Sequence, residues 1–172
     1  VSAVEAAAHE KSIEHARFIL HESFAGSEEL RSAGVAPSHE DRQRMLSEHE
    51  PQRADAIFAA MKRSGTWYVP THLTRWVDAY ADHPSVREDP LLRYVHPLLK
   101  WQWLEDVNGT LADHPSEEAR ETYREFYRKG LELTAAAHRR GVNVLVGTDY
   151  IIAGADVHRE LEQLVFAGLT PA

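Results

Sequence analysis

Nine residues, Gly141-Val-Asn-Val-Leu-Val-Gly-Thr-Asp149, restrict the fold of this chain more than any other stretch, because a helix stop, an apolar strand and an acid follow one another directly. His138, Arg139 and Arg140 run up to Gly141, which sets cations against the negative end of a helix dipole ahead of a residue free to take positive φ. Residues 142–146 are almost entirely apolar and β-branched, Asn143 excepted, and this suits a parallel strand covered on both faces. Asp149 then stands just past the carboxyl end of that strand, where parallel α/β folds build their sites. An Asp in that place serves equally well to cap the next helix or tie down a loop.

Charge and composition narrow the function. Lys and Arg number 19 against 27 Asp and Glu, a net charge of −8, which argues against nucleic acid or an anionic membrane as partner and for small molecules or other proteins. Without cysteine there are no disulfides and no thiolate metal sites, so any metal falls to His, Asp or Glu. No apolar run reaches transmembrane length, and the expectation is a soluble, cytoplasmic protein. The chain opens on Val1-Ser-Ala-Val-Glu-Ala-Ala-Ala8, a helix interior, and Thr170-Pro171 reads as the start of a further helix. Residues 1–172 are therefore expected to be one partial domain, truncated at both ends.

In chain order, Lys11-Ser-Ile-Glu-His15 is a short strand ending on a histidine, and Gly26, Gly34 and Pro37 break the segment after it into loop and short helices. Residues 38–50 read as a charged surface helix with His39 and His49 solvated. Ala54, Ile57, Phe58 and Met61 share a helical face that Ser64-Gly65 ends. Thr66-Trp-Tyr-Val-Pro-Thr71 is a second strand, with Pro70 tolerable only at its end, and it delivers Thr71 and His72. Residues 73–115 are helical excursions forming a lid or wall, in which Trp76, Trp101 and Trp103 either line an apolar pocket or simply pack. Ser116 caps a long helix with Tyr123, Phe126, Tyr127, Gly130, Leu131, Thr134 and Ala137 on one face. A last amphipathic helix passes through Val157, Leu161, Leu164 and Val165. Helix-then-strand units repeated in this way indicate a parallel barrel or a doubly wound sheet.

The strand ends together offer His15, Thr71, His72 and Asp149. Imidazole and carboxylate suit zinc or a similar divalent cation, and the aspartate can take a proton from metal-bound water. His158, in a helix's first turn, is either a further site residue or a loop-fixing one.

Ser12-Ile-Glu-His15, the strand Gly65-Thr-Trp-Tyr-Val-Pro-Thr71, and Gly147-Thr-Asp149 followed by His158-Arg-Glu-Leu161 and Ala167-Gly-Leu-Thr-Pro171 resemble, in order and over most of the chain, the C-terminal part of a metal-dependent amidohydrolase, in the imidazolonepropionase-like and Xaa-Pro dipeptidase-like branch. The resemblance implies strands six to eight of a (β/α)₈ TIM barrel, with His15 as the strand-six metal ligand and Asp149 as strand-eight ligand and general base. It implies a divalent metal, for which the donors suit zinc; in the hydrolase reading Thr71 or His72 contacts a small-molecule substrate, with His158 a further candidate. The family's His-x-His, strand-four lysine and strand-five histidine have no counterpart here, so the missing N-terminal half of the barrel or a homo-oligomer is the expected partner.

Three functions are compatible with these residues: a metal-dependent hydrolase of amide or other C–N bonds; a non-catalytic fragment or degenerate paralogue that self-associates through open strand edges; and a helical protein-binding module in which Asp149 has no role.

Overall fold

A computed structural model describes residues 1–170; Pro171, expected to open a further helix, lies outside the described residues. Its elements are α1 (Ala3–His9), β1 (Ser12–Glu14), α2 (Ala16–Glu22), α3 (Ser27–Ala33), α4 (His39–Ser47), α5 (Pro51–Ser64), β2 (Trp67–Val69), α6 (His72–Ala79), α7 (Pro84–Arg87), a 3-10 turn (Pro90–Tyr94), α8 (Pro97–Asp113), α9 (Glu117–Arg139) and α10 (Ala155–Phe166).

β1 and β2 pair in parallel with Ile13 opposite Tyr68. Residues 142–146 add only a single parallel bridge, Val144 to Tyr68, in which Tyr68 N–H donates to the Asn143 carbonyl and Leu145 N–H to that of Tyr68, each at 2.8 Å. One face of this small sheet, carrying Ile13, Tyr68 and Val142, is buried among α1, α2, α5 and α9 with Ile19, Leu20, Phe24, Phe58 and Met61. The other face is open, with Trp67 40% and Leu145 42% exposed, and Val146, just past the bridge, is 41% exposed.

That open face overturns the expected fold. The C-terminal part of a (β/α)₈ barrel needs three strands buried on both sides, whereas here two strands of three residues each carry the sheet and most of the chain is helix. Residues 142–146 do not become a strand because Tyr68 is the one residue they pair with and no helix covers Leu145 and Val146.

The helices follow the sequence closely. Ser116 Oγ accepts from Ala119 N–H at the start of α9. At its end Gly141, φ 78°, lets Val142 N–H reach back to the Ala137 carbonyl and Gly141 N–H to that of His138, closing a Schellman motif. The charged segment 38–50 differs: α4 packs on α9, Met45 is fully buried, and His39 and His49 are half-buried with Nδ1 atoms shielded from water. Trp76 and Trp103 pack with Val77, Val86, Val107 and Ile152 in a second core, while Trp101 stays 61% exposed.

α10 is inside out. Its buried face carries Asp156, Glu160 and Gln163 beside Leu164, and Val157, Leu161, Val165 and Phe166 face solvent, so that of the apolar face expected from Val157, Leu161, Leu164 and Val165 only Leu164 is buried. The polar side chains turn inward because each closes a hydrogen bond: Asp156 Oδ2 accepts from Ile152 N–H at 2.5 Å, Gln163 accepts from the Tyr127 hydroxyl, and Glu160 takes two backbone N–H groups of α6. Leu161→Glu with Phe166→Glu is therefore expected to leave thermal stability within about 0.5 kcal/mol of wild type; calorimetry showing a larger loss would mean that this face is packed in solution.

Candidate functional site

Three parallel segments leave the sheet on one rim, and each ends on a residue in an unusual backbone state. His15 (φ 67°), Thr71 (φ 48°) and Asp149 (φ 47°) are the only non-glycine residues with positive φ among the described residues. A β-branched threonine in the left-handed region is a conformational outlier, and such strain, on the order of 1–3 kcal/mol per residue, persists where the surroundings enforce it and concentrates at functional sites. Here the enforcement is visible: His15 N–H donates to the Val69 carbonyl and Ala16 N–H to that of Pro70, each at 2.9 Å, so α2 turns away at once after β1.

The turn brings three chemistries together. His15 Nδ1 lies 2.8 Å from Thr71 Oγ1 and 4.0 Å from Asp149 Oδ2. The His15 side chain is 25% exposed and that of Asp149 67%. Burial holds the imidazole below its ordinary pKa, the Arg17 charge adds to this, and the Asp149 carboxylate opposes it, so His15 is neutral at pH 7. Thr71 and Asp149 approach the same ring nitrogen, which rules out a hydroxyl–imidazole–carboxylate relay, because that relay uses opposite nitrogens.

His72 takes no part in the rim. Expected to contact substrate, it is fully buried, its Nε2 2.8 Å from Thr134 Oγ1, which donates to the Tyr68 hydroxyl. Its Nδ1 has no partner, and burial lowers its pKa to about 3. The side chain points inward because α6 begins at this residue, directing it onto α9 while Thr71 keeps the rim. His158 lies exposed on α10 and makes no hydrogen bond among the described residues.

Glu160, which the sequence does not single out, holds the start of α6. Thr71 offers that helix no side-chain cap; instead Glu160 Oε1 and Oε2 accept from His72 and Leu73 N–H at 2.8 and 2.7 Å. A buried glutamate thus fixes the backbone beside Thr71.

The donors present fall short of a metal site. His15 and Asp149 are two, catalytic zinc takes three protein ligands, and no group of three His, Cys, Asp or Glu able to hold an ion occurs among the described residues. No helix among them is long and apolar enough to cross a membrane. Comparison with family models, curated proteins and solved structures found no match, so the amidohydrolase resemblance rests on the residues alone.

Proposed function

We propose that His15, Thr71 and Asp149 form the working part of a hydrolytic site for amide or other C–N bonds of a small molecule, with Asp149 as the general base that takes a proton from the attacking water. The observation that supports it is the coincidence of the three strained non-glycine residues among those described with an imidazole, a hydroxyl and a carboxylate on one rim. Thr71 occupies His15 Nδ1 and leaves Nε2 free, the arrangement in which a histidine serves as donor with its other nitrogen fixed. A divalent cation would be taken by His15 Nε2, and Asp149 would join it only by turning from Nδ1, the nitrogen that its Oδ2 now faces and that Thr71 holds.

Asp149→Asn is the informative variant, since asparagine tolerates positive φ and the side chain is mostly exposed. Hydrolysis of a panel of N-acyl compounds, assayed with added zinc or manganese, should fall about 100-fold or more while the melting temperature stays put. Full activity in the Asn variant would leave Asp149 a loop residue only.

A second reading, self-association, is favoured by the apolar solvent face of α10. A second copy is the occupant this reading commits to, because its own α10 presents an apolar face of the same kind with which to cover this one. Sedimentation of wild type against Leu161→Glu with Phe166→Glu decides it: the reading requires an oligomer that the variant dissolves, and a monomeric wild type ends it.

A further inference from the structure

Beside the rim lies a cavity of about 350 Å³ whose lining includes three arginines from three helices: Arg17 of α2, Arg42 of α4 and Arg75 of α6. Arg75 is engaged, with Nη1 2.8 Å from Asp78 Oδ2 and donating to the Tyr123 hydroxyl at 2.8 Å. Arg17 and Arg42 are not: neither guanidinium has an ion pair or side-chain hydrogen bond among the described residues. Each lies over an aromatic ring instead, Arg17 5.1 Å from the centroid of Phe18 and Arg42 5.0 Å from that of Tyr123. Carboxylates outnumber basic groups 27 to 19 in this chain, yet none pairs with these two half-buried charges among the described residues: Asp78 and Asp149 act on Arg17, and Asp78 and Asp113 on Arg42, only from a distance.

We propose that Arg17, Arg42 and Arg75 form a receptor for a small organic dianion carrying an apolar or aromatic part. Two uncompensated guanidinium groups call for two negative charges, and the planar fork of arginine matches the oxygens of carboxylate and phosphate alike. A hollow lined by one sign of charge focuses the field on an entering anion. The volume is that of a small-molecule site rather than of an inorganic ion, and Phe18 and Phe126 provide its apolar wall. His21 also lines the cavity, but burial lowers its pKa to about 4, so it adds no charge at neutral pH. Burial likewise holds the Arg17 and Arg42 values below the ordinary range, with Arg75 acting in the same direction on both; a bound anion removes that conflict.

The cavity meets the rim through Phe18, whose ring centroid is 5.7 Å from that of His15. That the dianion is the substrate rests on the proposed hydrolytic function; that it binds does not. Phenyl phosphate and phthalate, the two sources of such charge, should be titrated calorimetrically against the full chain, with benzyl alcohol as the neutral control. At least one acid is expected to bind, more weakly as sodium chloride rises, and about tenfold or more weakly in Arg17→Gln and in Arg42→Gln. Arg42→Lys should keep part of the affinity, and Asp149→Asn should keep nearly all of it. Both glutamine variants should melt within a few degrees of wild type, since each gives up a cation–π contact but no ion pair or hydrogen bond. The receptor is overturned if neither acid binds, if benzyl alcohol binds as well as they do, or if the glutamine variants bind like wild type. Those outcomes leave the hydrolytic reading standing, whereas a fully active Asp149→Asn that still binds the acid ends that reading and spares the receptor.

Discussion

Glu160→Gln is expected to remove from the pH profile of folding stability a contribution that falls by about 3 kcal/mol between pH 4.5 and pH 7. Burial pushes the Glu160 carboxyl from 4.5 up to about 7, against the two α6 N–H groups that favour its ionised form. Between those values the folded chain keeps a proton that the unfolded chain has released, so stability attributable to this group is full below pH 4.5 and is lost as pH rises towards 7. The gap between 7 and 4.5 sets the magnitude at about 3 kcal/mol. Glutamine has no such proton. It also turns an amide N–H₂ towards one of two buried N–H donors, which costs about 1–3 kcal/mol at every pH. His72 and His21, lowered to about 3 and about 4 by burial, work in the opposite sense: the unfolded chain binds their protons first, so their contribution is present above pH 6.5 and is lost as pH falls through the folded values. Because they remain in the variant, subtracting the two urea-denaturation profiles isolates Glu160. A difference between wild type and Glu160→Gln that stays constant from pH 4.5 to pH 7.5 would show that the carboxyl ionises normally in the fold.

How much of this was legible in the sequence varies with the kind of signal. Helix ends follow from local chemistry, and Ser116, Gly65 and Gly141 stop or start helices where residue type says they should. His15, Thr71 and Asp149 were placed on one rim by assuming parallel segments, and the structure does place them together. The same assumption failed for the sheet as a whole. An apolar run at residues 142–146 reports burial only if something covers it, and no sequence pattern says that a second face is left bare. α10 shows the complementary failure: Asp156, Glu160 and Gln163 look like a solvent face until Ile152, α6 and Tyr127 present hydrogen-bond partners to them. The arginine cluster was hidden for a further reason, since Arg17, Arg42 and Arg75 share no motif and meet only after α2, α4 and α6 have packed. Arg17, two residues beyond His15 at the start of an apolar helix face, was the one local hint.

Gly147→Ala is expected to destabilise the chain by about 1–3 kcal/mol, the usual cost of forcing an atom into a packed position, and to disturb the rim in doing so. A Cβ built on Gly147 overlaps Val69 Cγ1, with Thr71 Cγ2 the next atom at 3.8 Å. Gly147 does not have positive φ, so alanine fits its backbone and the clash is the whole of the cost. The position lies two residues before Asp149, and Val69 lies two before Thr71, so relief by moving either segment shifts a rim residue and lengthens the contacts at His15 Nδ1. Val69→Ala removes the obstructing Cγ1 and leaves Cβ at an ordinary 3.9 Å. In that background Gly147→Ala should cost at least about 1 kcal/mol less than in wild type, a coupling of the kind that contacting residues show in double-mutant cycles. The His15 ring resonances report the rim directly: they should shift in Gly147→Ala and return towards wild type in the double variant. Strictly additive stabilities, or His15 signals unmoved by the single substitution, would mean that Val69 turns aside without cost and that Gly147 does not hold the two strand ends in register.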